Sequence, residues 1–83
     1  MTLREILGAG YAAQVMGRGT LPNAIMKFRG AVAEHPGLLG EAKAELARCD
    51  KLIGHRSGKS CQIEIQNANF LRAALAQTEV TNG

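Results

Sequence analysis

Seven consecutive residues, Gly54-His55-Arg56-Ser57-Gly58-Lys59-Ser60, gather two cations and an imidazole between flexible glycines. That composition suits an anion. A phosphate-cradling loop needs a further glycine, separated by four residues from the Gly-Lys-Ser ending, so that successive backbone N–H groups curl around the phosphates. Ile53 occupies that position, and Gly54 comes one residue too late. What remains is a basic stretch leading into a predicted helix start at Ser60, with His55, Arg56, Lys59 and Ser60 as candidate anion-binding or partner-binding residues. The plainer reading is a solvated turn in which glycine stops one helix and serine starts the next. Nothing nearby supplies the magnesium-holding acid and water-positioning group of phosphoryl transfer.

Other groupings fail in similar ways. Gly8-Ala9-Gly10-Tyr11-Ala12-Ala13 fits the Gly-x-Gly-x-x-Gly/Ala pattern of dinucleotide-binding folds, but that pattern must follow a buried strand. Here Thr2 and Glu5 announce a helix instead. His35, Cys49, His55 and Cys61 could ligate a metal, yet structural zinc sites draw ligands as close pairs on tight turns, and neither cysteine is paired. A thiol nucleophile is equally unsupported, since Cys49 sits on an apolar seam and Cys61 needs His55 folded back across the loop. The sequence therefore predicts no catalytic residue, no metal and no cofactor, and it reads as a non-enzyme.

Residues 12–30 offer a different chemistry. A helix-turn-helix unit needs a small residue in its first helix, a glycine at the turn and an apolar-anchored second helix to enter the DNA major groove. Ala13 and Gly17 have the right separation, while the next anchor falls on Asn23. Ala24 or Ile25 serves only if the turn is lengthened. Under this reading Arg18, Asn23, Lys27 and Arg29 face DNA, Arg18 on phosphate and Asn23 on a base edge.

The elements that must position these groups are helices. Thr2 and Glu5 form a capping-box spacing, followed by Leu3, Leu7, Tyr11 and Val15 every four residues, with Ile6 beside them. That helix is predicted to end at Gly17-Arg18-Gly19, with Ala9, Ala13 and Gly17 forming a small-residue stripe for close approach. Thr20 or Leu21 caps a second helix with Pro22 in its first turn and Leu21, Ile25, Phe28 and Val32 inward. Pro36 stops it by His35. Leu39, Ala42, Leu46, Cys49 and Ile53 then make the cleanest seam, with Gly54 as the stop. Cys61 to Gln66 alternates like a strand, whereas Phe70, Leu71, Ala74 and Leu75 are helical; continuous helix is preferred, because a lone strand needs a partner strand from elsewhere. If extended, that strand pairs with a partner's sheet edge through Ile63 and Ile65.

The expected fold is all-α, a small bundle of about four helices, with a short strand near 61–66 as the alternative for that segment. Residues 1–77 make one domain and 78–83 a frayed tail, with Tyr11, Phe28 and Phe70 as aromatic anchors. Ten cations against seven acids leave a net charge of +3, scattered along the chain, which permits an anionic partner without demanding one. No apolar run approaches the roughly 18 residues of a membrane span, and Arg4 and Glu5 interrupt any signal-peptide core, so the expectation is a cytoplasmic protein with no membrane contact. An apolar share of 46% in so short a chain points to docking on a protein partner or a second copy, as adaptor, regulator or inhibitor of a larger machine. A helix-turn-helix DNA-binding regulator is the alternative.

Overall fold

Among the residues described by the computed structural model, 2–56 and 61–82, the chain is helical from its first turn. Glu5 N–H donates to Thr2 Oγ1 at 3.3 Å and Thr2 N–H donates to Glu5 Oε1 at 3.5 Å, so two free donors at the start of α1 (Leu3–Tyr11) are satisfied reciprocally. Beyond Tyr11 the helix widens into a π-turn, Ala12–Met16, closed by Gly17 at φ +67°. Each π-turn adds a residue per turn, and the side-chain amide of Gln14 attends to it by donating to Gly10 O at 3.2 Å and to Gln66 O at 3.0 Å.

This widening corrects the expected seam of the first helix. Ile6 and Gly10 are buried and Leu3 and Leu7 pack at the core's edge, whereas Val15 is 50% exposed because the extra residue rotates it off the α-helical stripe. Tyr11 is only half-buried and takes no part in the core. The tightest approach is at Gly10, where an added Cβ would sit 2.7 Å from two carbons of the Phe70 ring; of the expected stripe, Ala9 packs against the core, while a Cβ at Gly17 meets nothing within 4 Å.

The next two helices follow their patterns. Thr20 Oγ1 accepts from Asn23 N–H at 3.3 Å and caps α2 (Leu21–Glu34), which buries Ala24, Ile25, Phe28 and Ala31 and ends at His35. In α3 (Gly37–Arg56) Leu38, Ala42 and Cys49 are buried with Leu39 and Leu46 beside the core. Gly54 does not stop it. The helix runs two residues further, because one glycine weakens a helix by about 1 kcal/mol without ending it when the preceding seam is already packed.

Helix α4 (Gln62–Asn82) settles the ambiguous segment. Ile65 N–H donates to Cys61 O at 2.8 Å, a helical bond, and no strand occurs among the described residues. The strand alternative near 61–66 is therefore overturned; helical rotation buries Cys61 and leaves Ile63 59% exposed, where a strand would have put them on one face. Thr78, placed by the sequence in a tail, is buried and donates to Ala74 O at 2.8 Å.

The result is an all-α four-helix bundle with α4 against each of the other three helices. Phe28 and Phe70, both fully buried, meet edge to face with ring centroids 6.4 Å apart at 84°. Ile6, Ile25, Leu71, Ala74 and Leu75 pack around them. Arg72 pairs with Asp50 across the α3–α4 surface, an exposed bridge of little energetic weight. No helix among the described residues is long and apolar enough to cross a membrane.

Candidate functional site

Two of the depressions lined by the described residues gather the side chains that bear on function. The first is a groove of about 430 Å³ between α1 and the α3–α4 pair. One stripe of α1 supplies Arg4, Leu7, Gly8 and Tyr11, spaced three, one and three residues apart, so they share a face turned away from Ile6 and Gly10. Ile63 and Asn67, four apart on α4, form the opposite wall with Glu45 of α3. Leu7, Tyr11 and Ile63 are its large apolar lining residues, and Arg4, Glu45 and Asn67 its polar ones. Arg48 donates to Glu45 Oε1 at 2.6 Å and Oε2 at 2.7 Å, which holds the Glu45 carboxyl below its ordinary range and raises Arg48 in turn.

The second depression, about 520 Å³, lies between the end of α1 with its π-turn and the start of α2. Arg18, Asn23 and Lys27 line it together, with Gly19, Thr20 and Met26. Three of the four residues singled out for DNA are thus neighbours; Arg29 is on α2 but does not line this cleft. Residues 17–20 separate the π-turn from α2, and the buried anchors are Ala24 and Ile25, while Asn23 is exposed. A signal for this cleft lay in the sequence unread: from Ile6 to Ala33 there is no acidic residue, so the scattered charge is in fact sorted along the chain.

The basic stretch after α3 is placed only in part. His55 is exposed in the last turn of α3 and Arg56 ends that helix; the side chain of Arg56, and all of Lys59 and Ser60, lie outside the described residues. Gly8 and Gly10 are inside α1, so the dinucleotide-like pattern is helical throughout its glycines. Among the described residues no three or more His, Cys, Asp or Glu side chains gather as metal ligands. Cys49 and Cys61 are both fully buried free thiols; burial pushes the Cys49 thiol up, and Cys61 Sγ donates to Leu52 O at 3.8 Å.

The groove was not legible in the sequence, because it depends on where α1 rests against the α3–α4 pair. Its one advance sign was Ile63, a large apolar residue off the stripe formed by Cys61, Ala68, Leu71 and Leu75. Comparison of the chain with protein-family models, with curated proteins and with solved structures finds no match.

Proposed function

We propose that this protein is a non-catalytic, cytoplasmic helical module that docks a protein in the α1–α3–α4 groove and so acts as an adaptor, regulator or inhibitor of a larger assembly. The observation that carries this reading is Ile63. It keeps 59% of its surface exposed in a groove that it lines together with Leu7 and Tyr11, beside the charged Arg4 and Glu45. An exposed large apolar side chain grouped with other apolar residues and flanked by charges is what an unoccupied interaction surface presents. A photo-crosslinking side chain at position 63 tests it: the reading requires one dominant adduct, lost on Tyr11→Asp, while circular dichroism reports an intact fold. Diffuse labelling insensitive to Tyr11→Asp refutes it.

A second reading rests on the other depression. Arg18, Asn23 and Lys27 share one cleft at the start of α2, inside an acid-free stretch of chain. This supports DNA binding by residues 12–30, with Arg18 and Lys27 on phosphates and Asn23 on a base edge. Fluorescence anisotropy with duplex DNA checks it: affinity should fall steeply between about 50 and 200 mM salt, and Arg18→Ala or Lys27→Ala should shallow that slope. Salt-independent or undetectable binding rejects it.

A further inference from the structure

We propose that the occupant of the α1–α3–α4 groove is a second copy of this chain, forming a symmetric dimer; this rests on reading the groove as a docking surface. Gly8 is the first reason. A glycine in mid-helix weakens α1, and a Cβ added at Gly8 meets nothing within 4 Å inside the chain. Gly10 has its explanation in Phe70; Gly8, like Gly30, Gly40 and Gly54 in the other helices, meets nothing within the chain, but of these it is the one that lines the groove. An outside helix crossing at Gly8 explains it, since the missing Cβ lets two backbones approach closely.

The charges supply the second reason. Arg4 stands on the α1 wall of the groove and Glu45 on the α3 wall. A two-fold axis passing between them sets Arg4 of each copy against Glu45 of the other. Arg48 uses one direction on each Glu45 oxygen, and a carboxylate offers about four lone-pair sites, so room remains for a second guanidinium. Leu7, Tyr11 and Ile63 then face the same three residues of the second copy. A foreign partner must carry both charges and an apolar strip in matching register, whereas a second copy has all of them by symmetry.

Sedimentation equilibrium on the full chain tests the dimer, and Tyr11 emission gives a local readout because the chain has one tyrosine and no tryptophan. Arg4→Glu and Glu45→Arg should each weaken association at least about tenfold by placing like charges together. The double variant R4E/E45R should recover most of the loss, which a merely structural effect of either change would not do. Gly8→Leu should abolish association and the concentration dependence of Tyr11 emission, with helicity retained. A wild-type chain that stays monomeric up to about 1 mM, or a double variant no better than the worse single one, overturns the proposal. The crosslinker at position 63 keeps the two readings apart. A foreign adduct on a monomeric chain removes only the second copy, while no specific adduct of either kind removes the docking surface as well.

Discussion

Gly10→Ala should destabilise the fold by about 2 kcal/mol, although alanine is the better helix former. The packed geometry sets this figure. The new Cβ would lie 2.7 Å from Cγ and Cδ1 of Phe70 and 3.1 Å from Cδ2, so ring or helix must yield by about 1 Å to reach ordinary carbon contact at 3.5–4.0 Å. Phe70 is fully buried and braced edge-on by Phe28, so there is no space to retreat into. Overpacking a core costs about 1–3 kcal/mol, here near the upper end, and the helix-propensity gain returns about 1 kcal/mol. Gly8→Ala is the matched control: it has the same chemistry in the same helix, with nothing within 4 Å, and should stabilise by about 0.5–1 kcal/mol. Dilute samples unfolded by heat should show the two variants moving in opposite directions, Gly10→Ala by about 8–16 °C downward. Adding Phe70→Leu should make Gly10→Ala far less harmful in a double-mutant cycle. Equal stabilisation by both alanines would refute the close-packing account of Gly10.

Three other outcomes follow from the same geometry. Thr20→Ala should cost about 1 kcal/mol in chemical denaturation, because Asn23 N–H loses its cap, and Thr20→Ser should restore most of it. Cys49 and Cys61 should resist thiol reagents in the native state and react once denatured; since burial raises the Cys49 thiol, stability should fall as pH rises above the ordinary 9.0, and Cys49→Ala should flatten that limb. Arg48 lowers the Glu45 carboxyl, so the pair stabilises above the ordinary 4.5 and loses that contribution as pH falls through the lowered value. Glu45→Gln should reduce the acid slope by no more than about 1 kcal/mol, as befits an exposed bridge.

Local chemistry was legible wherever it acts locally. The Thr2–Glu5 box, the Thr20 cap, the stop at His35 and most of the α2 and α3 seams could be read from spacing, because caps and periodicity depend on residues a few positions apart; Leu38, which the expected α3 seam left out, is buried while Leu39 and Ile53 are half-buried. Tertiary packing decided the rest. The π-turn could not be foreseen, since the same residues suit an α-turn until Gln14 finds Gln66 fifty-two positions away, and with it went the expected place of Val15. The alternation from Cys61 to Gln66 fitted both periods, and only the continuing stripe of Ala68, Leu71 and Leu75 draws it into a helix. Of the site candidates, Arg18, Asn23 and Lys27 converge because the turn and the first turns of α2 are contiguous. Arg4, Glu45 and Ile63, from three helices, had no shared signature in the chain.

The place of α4 has a consequence for the order of events during synthesis. Phe70, Leu71, Ala74 and Leu75 supply the surface on which α1, α2 and α3 converge, so the first three helices leave the ribosome with the α4-facing part of their apolar surface uncovered. The domain therefore completes its core as a unit only once α4 is available. A ribosome stalled before Phe70 should hold a protease-sensitive, chaperone-bound nascent chain, and release of the α4 segment should convert it to the protected bundle in a single step.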